Sequence, residues 1–186
     1  MPLASIIIFS SWVVFFVVWI VSSFGVKRDI KNTKTWWREW FISRFLVIAA
    51  VVAFVSVAQS VTHHAVIWQL WKYPLHSGAL ATDIGALLSA LGIGYAVWAR
   101  IHLGRNWSGS PALKEEHELV TTGPYALIRH PIYTGMLVAI FGSALASPPW
   151  FIMFVVVLAL FVRRIFVEEA MMMKTFPDQY PAYKKR

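Results

Sequence analysis

Residues 3–24 read LASIIIFSSWVVFFVVWIVSSF, an apolar run without a charged side chain. About 20 apolar residues are enough to cross a hydrocarbon core of about 30 Å, so this run predicts a membrane helix. It has no basic segment ahead of it and no A-x-A pattern after it, which favours a retained helix over a removed signal peptide. The whole chain of 186 residues is 58% hydrophobic and 14% charged, whereas soluble domains carry about a quarter charged residues. The sequence therefore predicts an all-α, multi-pass membrane helix bundle.

Further apolar runs bring the expected number of membrane helices to about five. The additional spans are residues 41–71, 79–99, 132–147 and 149–166. The last two are short and meet at Pro148 and Pro149, which predicts a C-terminal helical hairpin. The span at 79–99 carries small residues that favour close helix packing, namely Gly85, Ser89, Ala90 and Gly94.

The basic residues predict how the bundle is oriented. The net charge is +8, and the basic side chains follow the first span, precede the fourth or lie in the tail, while Lys72 alone falls on the other side. The positive-inside rule then places the N-terminus outside. It places in the cytoplasm the connector, which runs from Arg100 to His130, and the tail, which starts at Arg163. This distribution fits orientation in a membrane better than nucleic-acid binding. We expect one integral membrane domain, 1–186, with N-terminal helices in 1–99 and a catalytic region in 100–186.

Two residue types limit the chemistry. The chain has no cysteine, which excludes thiolate catalysis and cysteine-ligated metal. His63 and His64 are adjacent, so a helix would point them to different sides, and they make a poor metal site. We predict no metal site.

Residues 123–135, GPYALIRHPIYTG, gather reactive side chains just ahead of an apolar run. Pro131 suits the first turn of a helix, where its missing N–H costs nothing. Gly123 begins a turn that would hold Tyr125 near the same surface. We therefore expect Arg129 and His130 at the cytoplasmic membrane edge, as parts of a ligand site.

The tail supplies a second group of charged residues. Arg164, Glu168 and Glu169 stand at i, i+4 and i+5, so a helix would present them on neighbouring parts of one face. Paired acids with arginine suit a ligand that carries an ammonium or hydroxyls on one part and a carboxylate or phosphate on another. The residues alone indicate no more than that.

The ordered segments LGRNWS (103–108), HELVTTGPYALIRHPIYTG (117–135), RIFVEE and FPDQYPAY resemble the isoprenylcysteine carboxyl methyltransferase family and its phospholipid-methylating relatives. The resemblance covers roughly residues 100–183 and suggests an integral membrane member of prokaryotic type. It implies S-adenosyl-L-methionine as cofactor, held in a cytoplasm-facing pocket between connector and tail. It also implies a lipophilic or lipidated acceptor, such as the carboxylate of a prenylated cysteine, that enters from the membrane lipids.

The resemblance also implies roles for particular positions. The cofactor-binding positions would be His117, Leu119, Val120, Gly123, Tyr125, His130, Pro131, Tyr133, Glu168 and Glu169. Arg129 and Arg164 would grip a carboxylate of the cofactor or of the acceptor, and Glu168 is added to them as a catalytic candidate. A carboxylate acceptor needs no proton removed, whereas an amine or thiol would need His130 or Glu168 as base.

Two other functions stay open at this point. Membrane sterol-type reductases share a related helical core but use NADPH. A non-catalytic lipid-binding protein would keep the pocket without turnover.

Overall fold

The computed structural model describes residues 3–24, 78–107, 118–146 and 149–185, and every regular element in these ranges is helical. The elements are α1 (Leu3–Ser23), α2 (Ala79–Leu103), a 3-10 turn (Gly104–Asn106), α3 (Pro124–Leu127), α4 (Pro131–Ala146), α5 (Pro149–Thr175) and α6 (Tyr180–Lys184). The all-α prediction is confirmed for this part of the chain. The predicted span at 41–71, the histidine pair His63 and His64, the site residue His117 and the turn at 147–148 lie outside the described residues.

Three helices are long and apolar enough to cross a membrane: α1, α2 with its 3-10 extension, and α5. They confirm the predicted spans that begin near residues 3, 79 and 149. Helix α4 has 16 residues and stays at the short end, as its sequence indicated. Helix α5 continues to Thr175, nine residues past the predicted end of its apolar span at residue 166, because its C-terminal part is polar but still helical.

The main packing interface joins α2 to α4 through glycine. A Cβ on Gly92 would lie 2.6 Å from Ala139 N and from Gly135 O, and a Cβ on Gly85 would lie 2.5 Å from Gly142 O. Real Cβ atoms do not approach backbone so closely, so glycine is what lets the two helices touch. The predicted small-residue stripe is therefore confirmed at Gly85, whereas a Cβ on Gly94 would meet nothing within 4 Å among the described residues.

A chain of hydrogen bonds joins α1, α2 and α4 in the interior. Trp12 Nε1 donates to Ser143 Oγ at 3.1 Å, and Ser143 Oγ donates to Ala139 O at 2.9 Å. Ser89 Oγ lies 3.4 Å from Ser143 Oγ, and both serines are buried. These bonds satisfy polar atoms that lipid could not satisfy, and they fix α1 against the α2–α4 pair.

The end of the bundle where α1 and α2 finish also collects the start of α4 and the polar half of α5. Arg100, buried in the last turn of α2, donates from Nη2 to Ser22 O at 2.7 Å and from Nη1 to Gly104 O at 3.0 Å. Helices α4 and α5 run antiparallel, because Tyr133 stacks on Phe161 while Phe141, further along α4, meets Phe154. The connector and the tail are thereby brought to one end.

Candidate functional site

Glu168 lies in the polar half of α5, and one of its carboxylate oxygens accepts two hydrogen bonds. Arg164, one helical turn earlier, donates from Nε to Glu168 Oε1 at 2.8 Å. Tyr133, near the start of α4, donates its hydroxyl to the same oxygen at 2.6 Å. The Nδ1 atom of His130 lies 3.8 Å from Oε2, beyond hydrogen-bond distance. Glu168 thus joins α4 to α5 through Oε1, while Oε2 accepts no hydrogen bond from the described residues.

Glu169, the next residue, is buried and meets two cations. Arg129 donates from Nε to Glu169 Oε1 at 3.0 Å, and Lys184 Nζ lies 2.7 Å from Oε2. The carboxylate is 9% exposed, so both charge-assisted bonds are partly shielded from water. Glu169 therefore links the segment before α4 to the terminal helix α6.

His130 lies between the two glutamates, against the ring of Tyr133. The two rings are nearly parallel, with centroids 5.6 Å apart. His130 Nε2 is buried, 3.5 Å from Glu169 Oε1, and makes no hydrogen bond among the described residues. Burial lowers the pKa of His130 below its usual 6.5, although Glu168 and Glu169 oppose the shift. The imidazole is therefore neutral at pH 7.

The turn before α3 depends on Gly123 and His102. Gly123 has a φ of +56°, and a Cβ there would lie 2.6 Å from the His102 ring. The ring itself stacks on Tyr125 and pairs its Nε2 with Thr122 Oγ1 at 2.9 Å. Glycine is thus needed both for the backbone conformation and for space. His102, in the last turn of α2, therefore packs the connector against that helix.

The connector positions other than His117 lie beside this turn. Tyr125, Ala99 and Ile132 form a buried cluster, and Val120 packs against it. Leu119 is half-buried and Pro131, at the start of α4, is fully buried. Burial also raises the pKa of the Tyr125 phenol. The structure therefore brings Arg129, His130, Tyr133, Arg164, Glu168 and Glu169 into one charged cluster, with the apolar positions of the connector next to it.

A pocket of about 350 Å³ opens beside this cluster. Its wall is made by Tyr125, Ala126, Leu127, Ile128, Arg129, His130, Thr134, Ile165 and Tyr183. The volume falls near the lower end of the range of about 300–1,000 Å³ for small-molecule sites. Of the residues predicted to form the site, Tyr125, Arg129 and His130 line this pocket, whereas Glu168 and Glu169 do not.

The sequence reasoning missed two residues of the tail. Tyr183 donates its hydroxyl to Tyr125 O at 2.6 Å, and Lys184 O accepts from Arg129 Nη1 at 3.0 Å. Tyr183 is buried, which raises the pKa of its phenol and keeps the donor proton in place. The sequence did carry a signal for Tyr183, because Tyr180 and Tyr183 are three residues apart and therefore lie on one face of a short helix.

This arrangement can bind a zwitterion. It offers a carboxylate oxygen with no donor from the described residues, guanidinium groups within the same cluster, and a neutral imidazole between the two acids. An ammonium or hydroxyl would pair with the carboxylates, and a ligand carboxylate would pair with an arginine. Helix α5 and the segment before α4 hold these groups on packed elements.

Long apolar helices with a charged cluster at one end define a helical membrane protein. The profile of the phospholipid methyltransferase family matches residues 80–179, which is just over half of the chain. The protein belongs to this family. The match begins in α2, about 20 residues before the segment, roughly 100–183, that carries the sequence resemblance.

Three curated proteins are similar to parts of this chain. The protein-S-isoprenylcysteine O-methyltransferase of Saccharomyces cerevisiae is 35% identical over 123 residues, which cover 63% of this chain and 51% of the relative. The corresponding protein of Schizosaccharomyces pombe is 34% identical over 93 residues, covering 47% and 39%. Protein-S-isoprenylcysteine O-methyltransferase B of Arabidopsis thaliana is 41% identical over 76 residues, covering 39% of each chain. The chain therefore spans between 39% and 51% of the length of these relatives.

Proposed function

We propose that this protein is an S-adenosylmethionine-dependent methyltransferase that acts on a lipophilic, membrane-embedded acceptor, such as the carboxylate of a prenylated cysteine. The observation that carries the proposal is the pair Glu168 and Glu169, which stands with Arg129, Arg164 and His130 at the end of an apolar bundle. Membership in the phospholipid methyltransferase family and the names of the three relatives support the same reaction class.

The residues present fit the cofactor. Glu168 Oε2 has no hydrogen bond from the described residues, and His130 Nε2 is a buried polar atom without a partner among them. Glu168 would accept from the ammonium or the ribose hydroxyls, and an arginine would take the carboxylate. Leu119, Val120, Gly123, Tyr125 and Pro131 would supply the wall, with His117 assigned by the resemblance alone. The bound cofactor supplies an activated methyl group on a sulfonium.

The protein's own contribution would be alignment and exclusion of water. Tyr133 and Arg164 hold the Glu168 carboxylate from two helices, so its free oxygen is fixed in direction. Fixed groups in a dry site accelerate a displacement by orienting the reactants. A carboxylate acceptor requires no base. An amine or thiol acceptor would give up its proton to neutral His130, whose lowered pKa keeps it able to accept one.

The same proposal includes the membrane arrangement. Five membrane helices would place the N-terminus outside and the site on the cytoplasmic face, with α4 and α5 as a hairpin. The basic side chains Arg105, Arg129, Arg163 and Lys184, all at the site end of the bundle, support this orientation. Cysteine-scanning accessibility in sealed cells tests it, since a cysteine near Arg105 should react only after the membrane is permeabilised.

Calorimetric titration of the detergent-purified protein with S-adenosylhomocysteine, and separately with NADPH, tests the cofactor. We expect binding of S-adenosylhomocysteine alone. Binding of NADPH alone would replace the proposal with a sterol-type reductase.

Transfer of labelled methyl groups to an S-farnesylated cysteine analogue in proteoliposomes tests the acceptor. We expect a base-labile methyl ester, because esters hydrolyse where N-methyl and S-methyl products do not. Cofactor binding without transfer to this analogue, to extracted lipids or to thiols would favour a non-catalytic lipid-binding protein.

A further inference from the structure

Lys184 presents two different groups to the charged cluster. Its ammonium lies 2.7 Å from Glu169 Oε2, and its backbone oxygen accepts from Arg129 Nη1 at 3.0 Å. An ammonium on a glutamate and a carbonyl oxygen on an arginine are the contacts that a free amino acid group would make with the same two residues. One residue of the chain thus occupies both subsites.

We propose that Lys184 is an internal competitor for the amino acid end of the ligand, and that its side chain is a latch that this end must displace from Glu169. The inference rests on the proposed function, because it assumes a ligand that carries an ammonium and a carboxylate. It assigns to Lys184 a role in affinity and in ligand discrimination.

The ion pair between Lys184 and Glu169 can break at a small cost in free energy. The Lys184 side chain is 47% exposed, whereas the Glu169 side chain is 9% exposed. When Lys184 leaves, Arg129 still neutralises Glu169 at 3.0 Å, so the buried carboxylate is never unpaired. Exposed ion pairs are weak, while an unpaired buried charge is costly. Lys184 is therefore the exchangeable partner, and Arg129 the permanent one.

The rest of the tail keeps Lys184 close to the site. Tyr180 and Tyr183 are buried, and Tyr183 is hydrogen-bonded to Tyr125 O at 2.6 Å. These anchors stand one residue or one helical turn ahead of Lys184, so the lysine can leave Glu169 while α6 stays attached. A tethered competitor has a high effective concentration, so even a weak ion pair lowers the affinity of the site for its ligand.

Titration of the full-length Lys184→Met variant with two ligands tests the proposal. S-adenosylhomocysteine carries the amino acid end, and 5′-methylthioadenosine lacks it. Removing the competitor should tighten S-adenosylhomocysteine by about 2- to 5-fold, the strength of an exposed ion pair, and should leave methylthioadenosine unchanged. Lys185→Met is the matched control, because Lys185 is exposed and has no ion pair among the described residues; it should change neither affinity.

Three results would overturn the latch. Unchanged S-adenosylhomocysteine affinity in folded Lys184→Met would show that Lys184 does not compete. Weaker binding of both ligands would make α6 a wall of the site. If the wild-type protein bound methylthioadenosine but not S-adenosylhomocysteine, both the amino acid subsite and the proposed cofactor would be refuted. This failure is therefore distinguishable from the other two. Should Lys184→Met not fold, Lys184→Gln carries the same expectation, because it also removes the charge.

Discussion

The clearest test of the site is Glu168→Gln. Tyr133 and Arg164 both donate to Oε1, at 2.6 and 2.8 Å. A glutamine satisfies both donors only with its amide oxygen at that position, which forces its NH₂ group into the place of Oε2. A ligand donor that meets Oε2 in the wild type would then face another donor. Losing one hydrogen bond to a charged group costs about 1.5–3 kcal/mol, so S-adenosylhomocysteine should bind about 10- to 100-fold more weakly.

Calorimetry and thermal unfolding of the same samples separate binding from folding. Because Tyr133 and Arg164 keep an acceptor, the melting temperature of Glu168→Gln should stay within a few degrees of wild type. The matched control is Asp83→Asn, which removes one exposed acidic charge near the start of α2, at the other end of the bundle. The control should retain wild-type affinity. A folded Glu168→Gln protein with unchanged affinity would refute the role of Glu168 and the reasoning from its two oxygens.

Three further predictions concern the bundle and His130. Gly92→Ala should lower thermal stability in detergent, because its Cβ would lie 2.6 Å from backbone atoms of α4. A Cβ on Gly94 would meet nothing within 4 Å among the described residues, so Gly94→Ala should have little effect, and equal melting temperatures would contradict the packing. Ser143→Ala removes the acceptor of Trp12 Nε1 and should cost about 0.6–1.7 kcal/mol, seen as a lower midpoint in denaturant. The lowered pKa of His130 means that the unfolded chain takes up a proton near pH 6.5 that the folded chain does not, so stability should fall as pH drops from 7.5 to 5.5. His130→Gln should reduce this pH dependence of stability. An unchanged pH dependence would mean that other groups cause it.

The sequence predicted the helices better than their contacts. Hydropathy identified α1, α2 and α5 because the membrane requires long apolar runs there. The predicted apolar span ends at residue 166, nine residues before α5 itself ends, since hydropathy reports where lipid ends and not where the helix ends. The sequence did not single out Gly92, because a spacing of four drifts off one face over several turns, and only the position of α4 shows that Gly92 contacts this helix.

The candidate site was predictable where its members are close in sequence. The helical spacing of Arg164 and Glu168 foretold their ion pair. The motif around Arg129 and His130 predicted that these two residues belong to one site, but not which carboxylate each of them contacts. The Lys184 contact with Glu169 had no local signal, because it depends on how the turn at 177–179 returns the chain.

The internal pairing of the charged cluster bears on how its ligand affinity is set. Glu168 and Glu169 carry two negative charges, and Arg129, Arg164 and Lys184 carry three positive ones, while His130 is neutral. These pairs hold the groups in place without a ligand, so a ligand does not have to order them. A ligand must break some of these pairs to make its own contacts. Its binding free energy is therefore the difference between the contacts that it makes and the similar contacts that it replaces. Removing a partner that stays in place, such as the Tyr133 hydroxyl, should weaken binding, whereas removing one that must leave, such as the Lys184 ammonium, should strengthen it. The sign of the change therefore separates residues that form the ligand site from residues that compete for it.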